Sequence, residues 1–129
     1  MEARDTRRLL LALLEDSGAA WREEMGVIRF RIAREGMTWE MSCRCEQDQV
    51  LCYGRFPFAA ADRARCLERC NEINDQAVGG AMFVAGDGRP VFRTRAELED
   101  PYEARQRLIR ALEYNAAVVT RFWGRLSGV

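Results

Sequence analysis

The sequence contains no histidine and no lysine, so all 20 of its basic residues are arginines. Histidine is the most frequent general base and a common metal ligand, while lysine forms Schiff bases and contacts the phosphates in P-loops. This chain therefore cannot supply any of these groups. Its 20 acidic residues balance the arginines to a formal net charge of zero, which removes the strong positive field that favours nucleic acids or anionic membranes.

Long apolar runs are also missing. Arg7 and Arg8 precede only a short apolar run, residues 9–14, before Glu15 and Asp16 interrupt it. Such a run is too short for the hydrophobic region of a secretion signal or for a membrane span. We therefore expect a cytoplasmic location. In that compartment the five cysteines remain reduced, and their odd number already excludes a fully paired disulfide framework.

The length and composition predict one domain over residues 1–129. The chain has 129 residues, of which 48% are hydrophobic and 31% are charged. A domain of this size buries roughly two-thirds of its unfolded surface, which suffices for stability without metals or disulfides. We expect no cofactor.

The first half of the chain predicts a helix followed by a three-stranded meander. Leucines at helical spacing indicate a helix over about residues 5–17, which Gly18 ends. Apolar and polar residues then alternate over 26–34 and 38–45, on either side of a turn at Glu35-Gly36. Closing this hairpin sets Arg31 opposite Glu40 on one face and, on the other, pairs Ile32 with Trp39, Phe30 with Met41 and Ile28 with Cys43. A further strand over 50–56 would place Cys52 opposite Cys43.

The second half predicts a helix, a hairpin and a long closing helix. The middle helix covers about residues 60–77 and stops at Gly79-Gly80, while strands over 81–85 and 90–94 flank the turn at Asp87-Gly88. The last helix is predicted to begin at Asp100, as its N-cap, and to reach about Leu126. The order is therefore α-β-β-β-α-β-β-α, an α+β domain in which an antiparallel sheet packs against helices.

Several segments resemble one known family. They are 67–74, with its asparagines Asn71 and Asn74, then 79–84, the Asp87-Gly88 turn, Val91-Phe92 and the closing helix. Together they resemble the YbjN-like family of bacterial sensory transduction regulators, whose fold is that of type III secretion chaperones, over nearly the whole chain. The resemblance implies a non-enzymatic protein that binds a protein partner or client and forms a homodimer, with a regulatory or chaperone-like role. The two asparagines are predicted to make structural hydrogen bonds between helix and loop.

The cysteines support an alternative function, a redox or metal sensor. Cys43 and Cys45 share a strand face, Cys66 and Cys70 share a helix face, and Cys52 lies across from Cys43, so thiolates could converge on zinc or a Cys43–Cys52 disulfide could form. However, structural zinc sites draw ligand pairs from C-x₂₋₄-C units that contain a turn, whereas these cysteines occupy regular strand and helix positions. Packing in the core is the simpler interpretation, because free cysteine is among the most buried residue types. Paired carboxylates such as Glu23-Glu24 are explained as solvated charges, and no enzymatic activity is expected.

One face of the predicted sheet carries arginines. Arg29, Arg31, Arg44 and Arg55 share that face with Tyr53, the best candidate patch for a nucleic acid, but Glu40 interrupts it. A solvated sheet face explains these residues as well. We therefore expect neither a nucleic-acid nor a membrane partner.

Apolar residues outside the predicted core indicate an interaction surface. Val27, Leu51 and Tyr53 fall on the sheet face opposite the core, and the last helix carries a second apolar stripe formed by Tyr114, Val118 and Phe122. Monomeric proteins rarely expose large contiguous apolar patches. Either the first or last helix covers these residues within the chain, or a partner or second copy covers them.

Overall fold

The computed structural model describes residues 1–129 and contains three helices and one six-stranded antiparallel sheet. The strands lie side by side in the order β1-β2-β3-β4-β6-β5. The elements in chain order are α1 (Ala3–Asp16), β1 (Trp21–Glu24), β2 (Val27–Arg34), β3 (Met37–Glu46), β4 (Gln49–Arg55), α2 (Arg63–Gln76), β5 (Ala81–Val84), β6 (Pro90–Glu97) and α3 (Ala104–Leu126).

The predicted order and fold class are confirmed, with one additional strand. Strand β1 pairs with β2 through a two-residue turn at Met25 and Gly26, both of which have positive φ. This strand was not predicted, because its four residues, Trp21 to Glu24, contain a single apolar side chain and so show no alternation.

The predicted strand registers are also confirmed. Ile28 lies opposite Cys43, Arg31 lies opposite Glu40, and Cys43 lies opposite Cys52. The turn residues Glu35 and Gly36 have φ values of 52° and 76°, the left-handed conformation that a two-residue hairpin turn requires.

The start of the last helix differs from the prediction. α3 begins at Ala104 with Glu103 at its N-cap, and Asp100 instead begins a separate turn before the helix. The Asp100 side chain accepts a hydrogen bond from the Tyr102 N–H at 2.9 Å, and its carbonyl accepts one from the Glu103 N–H at 3.3 Å. The sequence signal at Asp100 therefore marks a capped turn immediately before the helix. The middle helix likewise begins later than predicted, with the Asp62 side chain accepting from the Arg65 N–H.

All three helices lie on one face of the sheet, the inner face. Apolar residues of alternating positions point to it from every long strand, for example Phe30, Met41, Cys52 and Phe92, all of which are buried. α1 and the first half of α3 cover one part of this face, and α2 with the second half of α3 covers the other, which produces two core clusters. The prediction of a sheet packed against helices is therefore confirmed.

Two asparagine side chains of the helices form hydrogen bonds with the backbone of the sheet. Asn74 in α2 donates to the Met82 carbonyl at 3.0 Å and accepts from the Met82 N–H at 2.7 Å, so its predicted structural hydrogen bonds join α2 to a strand, β5, and not to a loop. Asn71 is exposed and makes no such bond. The fully buried Asn115 of α3 donates through Nδ2 to the carbonyls of Phe92 at 2.9 Å and Cys52 at 3.1 Å.

The contact of Asn115 with the sheet depends on a glycine. A Cβ atom on Gly54 of β4 would lie 2.3 Å from the Asn115 Oδ1 atom, so any side chain there would push α3 away from the sheet. Gly54 lies opposite Phe92 in β6. The Asn115 side chain therefore reaches the backbone of both β4 and β6 at the point where β4 has no side chain. Asn115 therefore fixes the position of α3 over β4 and β6.

We predict that Asn115→Ala destabilises the fold by about 1–3 kcal/mol, because the substitution removes hydrogen bonds from two buried carbonyls. Urea unfolding followed by circular dichroism measures this change. Asn71→Ala, at an exposed position in α2, serves as the control and should change the free energy of unfolding by no more than about 0.5 kcal/mol. An equally small effect at Asn115 would contradict its anchoring role.

Candidate functional site

The sheet face opposite the helices, the outer face, carries no secondary-structure element. Its side chains come from the strand positions that alternate with the buried ones. Arginines predominate on it, and they are Arg22, Arg29, Arg31, Arg44, Arg55, Arg93 and Arg95. The fold therefore leaves this face without cover by a helix.

Leu51 and Tyr53 form the apolar centre of the outer face. Both belong to β4, the third strand from the β5 edge of the sheet, and both are half-buried. The predicted third member, Val27, lies on β2, and Arg44 stands between it and Leu51 in the same cross-strand row. The structure therefore places all three residues on the predicted face but brings only Leu51 and Tyr53 together.

The predicted second stripe of α3 is not part of this surface. Val118 and Phe122 are 5% and 2% exposed and pack in the core cluster that also contains Cys70 and Ile73 of α2. The prediction that these two residues lie at an exposed surface is wrong, because α2 covers them. The cover expected within the chain came from the first or last helix, whereas the middle helix provides it for these two residues.

Tyr114 of α3 lies on the inner side of the sheet, next to the loop before β5, and is neither fully buried nor fully exposed. Its side chain is 36% exposed, its ring centroid lies 6.0 Å from that of Phe92, and its hydroxyl accepts a hydrogen bond from the Gly79 N–H at 3.3 Å. Tyr114 therefore supports the loop before β5 and faces away from the Leu51 and Tyr53 pair.

A network of polar side chains crosses the outer face beside this pair. The buried Ser42 hydroxyl accepts hydrogen bonds from Arg29 at 3.0 Å and from Arg55 at 3.2 Å. The Glu40 carboxylate accepts from Arg22 at 2.8 Å and from Arg29 at 3.3 Å. The network fixes several guanidinium groups in place and creates a rigid, positively charged border next to Tyr53.

The Glu40 carboxylate is held in its ionised form. Partial burial acts to raise its pKa, but hydrogen bonds from Arg22 and Arg29 and the charges of these two arginines outweigh burial, and the pKa falls below its ordinary value. Glu40 thus interrupts the arginine face with a negative charge at the position the sequence indicated, and Glu24, Glu46 and Glu97 occupy further positions of the same face. Of the four arginines proposed as a nucleic-acid patch, Arg29 and Arg55 are committed to Ser42 and Arg44 lies 3.6 Å from Glu46.

The cysteines divide between the two core clusters. Cys43 and Cys52 are opposite each other and fully buried in the first cluster, with Cys45 packed against it, whereas Cys66 and Cys70 are buried in the second. The structure therefore brings Cys43 and Cys52 together, as the register predicted, but separates them from Cys66 and Cys70 of α2. No group of three or more Cys, Asp or Glu side chains is arranged to hold a metal ion.

The environments of Cys43, Cys45 and Cys70 disfavour the thiolate. A hydrogen bond with Cys52 and complete burial raise the pKa of Cys43 well above its ordinary value. Burial, followed by the proximity of Cys52, raises the pKa of Cys45 to about 11, and burial with the neighbouring Cys66 raises the pKa of Cys70 to about 12. Reactive cysteines have the opposite properties, namely exposure and a lowered pKa.

The fold and this surface define a class, a small α+β protein whose sheet is covered by helices on one side only. On the other side its arginines and glutamates form ion pairs with one another. None of its three helices combines the length and apolarity needed to cross a membrane. The chain belongs to the YbjN family, described as "putative bacterial sensory transduction regulator", which matches residues 6–122. This match confirms the family resemblance, and its description names a regulator and no enzymatic reaction. No curated protein and no solved structure is significantly similar to the chain, so the likeness to type III secretion chaperones stays a prediction.

We predict that Glu40→Gln lowers the stability at neutral pH by less than about 1 kcal/mol, because its ion pairs are partly exposed. The pKa of Glu40 is lower in the folded state, so its stabilising contribution is complete above the unfolded value of 4.5 and disappears as the pH falls through the folded value. The stability difference between wild type and variant should therefore shrink below about pH 4.5. Urea unfolding across pH 3–7 measures this difference, with Glu99→Gln, an exposed carboxylate without an ion pair, as the control. A difference that is constant over this range would contradict the assignment.

We predict that the native thiols react slowly with Ellman's reagent, at least about tenfold more slowly than in guanidinium chloride, because four of the five are buried and the pKa values of Cys43, Cys45 and Cys70 are raised. All five cysteines are free and should react once the chain unfolds. Cys45, the least buried of them, should account for the native reaction, and Cys45→Ser should abolish most of it. Rapid modification of Cys43 or Cys52 in the native protein, or zinc bound in a one-to-one ratio, would instead support the sensor alternative.

Proposed function

We propose that this protein is a non-enzymatic regulatory adaptor, located in the cytoplasm, that binds a protein partner through the outer face of its sheet. The observation that carries the proposal is the one-sided cover of the sheet, which leaves Leu51 and Tyr53 half-exposed at the centre of a large surface. Side chains of this type, an aliphatic residue beside a tyrosine, supply contact area at protein interfaces. The family description is consistent with a regulatory role.

The charge of the outer face indicates the kind of partner. Arginines surround the Leu51 and Tyr53 pair on β3 and β6, and Arg93 lies directly opposite Tyr53 without an ion pair of its own. Arginine is enriched at protein interfaces and forms bidentate pairs with carboxylates. A partner with an apolar contact surrounded by acidic residues would complement this face in both respects.

The same charges make a face-to-face dimer unfavourable, since two outer faces would oppose arginine to arginine. We nevertheless propose a homodimer, as the family resemblance implies, and place its contact elsewhere on the molecule. Light scattering at micromolar concentration should then give a dimer mass both for the wild type and for variants of the outer face. A monomer mass for the wild type would contradict the dimer without affecting the outer-face proposal.

We predict that the double substitution Leu51→Arg and Tyr53→Glu abolishes binding of the protein partner. The wild type and the variant are purified under mild conditions from the source cells, and the proteins that co-elute are identified. A partner found with the wild type should be reduced at least about tenfold with the variant, because central apolar anchors dominate binding energies.

Leu67→Arg is the matched control, since Leu67 is 48% exposed on α2 and lies away from the outer face. It repeats the leucine-to-arginine change outside the outer face and should leave the partner bound. Circular dichroism establishes that both variants are folded. If the double variant retains the partner at the wild-type level, the outer face is not its binding surface.

A further inference from the structure

The last two strands of the sheet differ in length, which leaves part of one strand without a neighbour. β5 pairs with β6 only as far as Ala81 opposite Arg93, whereas β6 continues to Glu97. β4 accompanies β6 along its whole length on the other side. Residues 94–97 of β6 therefore form an open edge of the sheet.

The hydrogen-bonding pattern of β6 shows which backbone groups point to this open edge. The Phe56 N–H donates to the Pro90 carbonyl and the Leu98 N–H donates to the Asp48 carbonyl, both in the register of β4 with β6. Because bonded and non-bonded pairs alternate in antiparallel strands, the even-numbered residues of β6 bond to β4. The N–H and C=O groups of Arg95 and Glu97 therefore point away from β4, to the side where β5 has ended.

The chain before β5 turns away instead of satisfying these groups. Gly79 occupies the position that would pair with Arg95, but its N–H donates to the Tyr114 hydroxyl at 3.3 Å. The departure occurs at Gly80, whose backbone lies so close to β6 that a Cβ atom would be 2.4 Å from the Arg93 carbonyl oxygen. Two clefts of about 590 and 270 Å³ lie along the open edge, and Gly79, Thr94, Arg95 and Glu97 border both.

Arginines flank this edge on both faces of the sheet. Arg93 and Arg95 border the cleft on the outer face, and Arg107 and Arg110 border the cleft next to α3. Arg95 pairs with Glu97 at 2.9 Å and Arg107 pairs with Glu103 at 2.9 Å, while Arg93 and Arg110 have no ion pair within the chain. Side chains of an added strand would alternate between the two clefts and meet positive charge in each.

We propose that the open edge of β6 binds an extended, acidic segment of a protein partner, which adds to the sheet as a strand in line with β5. Donors and acceptors repeated at strand spacing on Arg95 and Glu97 match a peptide backbone, whereas a small anion would use the donors alone. The arginines on either side select carboxylate side chains. This proposal rests on the protein-binding function proposed above and adds a second contact to the one on the outer face.

The test uses a fluorescein-labelled hexapeptide of alternating glutamate and valine, and a matching peptide with arginine in place of glutamate. We expect the acidic peptide to bind and the basic one to bind at least about tenfold more weakly, since charge complementarity decides between them. In ¹⁵N-labelled protein, the amide protons of Arg95 and Glu97 should exchange rapidly alone and become protected with the acidic peptide. Thr94 and Ala96, which bond to β4, should be protected in both states.

Proline substitutions separate strand addition from simple charge attraction. Arg95→Pro removes an N–H that points to the open edge and leaves the bonds between β6 and β4 intact, so the variant should fold but lose peptide binding at least about tenfold. Arg95→Ala removes the charge and keeps the N–H, so its loss should be smaller. If Arg95→Pro does not fold, Glu97→Pro tests the second outward N–H in the same way.

Three outcomes would overturn the proposal: no binding of the acidic peptide, equal binding by Arg95→Pro and wild type, or protection that does not include Arg95 and Glu97. Association of wild-type chains that Arg95→Pro abolishes would identify a second copy as the occupant and would also overturn it. The proposed function has a separate test, and it is contradicted if the double variant Leu51→Arg, Tyr53→Glu retains every partner of the wild type. A partner that this variant loses but Arg95→Pro retains would support the adaptor function and reject the edge site.

Discussion

The constraint on which the structure depends is that the sheet is predominantly apolar on one face and predominantly charged on the other. Every long strand alternates, so the side chains of Phe30, Met41 and Cys52 all require cover on the same side, and the three helices must all pack there. Asn115 and Gly54 set the distance at which the longest of these helices lies. Because no helix remains for the other side, the outer face must be stabilised by its own side chains. The polar network around Ser42 and Glu40 performs this role, and the face that it organises is the proposed binding surface.

The exclusive use of arginine has a structural consequence on that face. A guanidinium group offers five N–H donors in a fixed plane, so Arg29 can contact both Ser42 and Glu40 from one position. An ammonium group on a flexible stem would satisfy these partners with poorer geometry and a greater loss of side-chain entropy. The network is therefore more rigid than the same number of lysines would make it. Rigid charged groups bordering Leu51 and Tyr53 lose little freedom when a partner binds.

Much of the fold could be predicted from the sequence because its signals are local. The alternation in residues 27–34 and the turn at Glu35-Gly36 fix both the first hairpin and its register, since a shift by one residue would expose the core face. Strand β1 could not be predicted, because its four residues depend on pairing with β2 and carry no pattern of their own. The burial of Val118 and Phe122 depends on where α2 crosses α3, a long-range contact that helical periodicity does not reveal. The open edge of β6 could not be predicted from the sequence either, because it arises where the chain diverges from β6 at Gly80, just before β5 begins.

An open strand edge exposes a protein to indiscriminate pairing. On the terminal strand β5 the Asn74 side chain bonds to the Met82 backbone and partly covers that edge, whereas the sheet is open at β1 and at residues 94–97 of β6. Both are short, and both carry charged side chains, among them Arg22 and Glu23 at one end and Arg95 and Glu97 at the other. Charges on an edge disfavour pairing with the apolar strands that cause aggregation. They do not disfavour a strand whose own charges are complementary. The two edges differ in this respect, since β1 presents glutamates while the clefts beside β6 include Arg93 and Arg110, which lack acidic partners. The features that protect the β6 edge from unspecific pairing therefore also make it selective for acidic segments, and they lie next to the apolar pair on β4, so one partner could contact both.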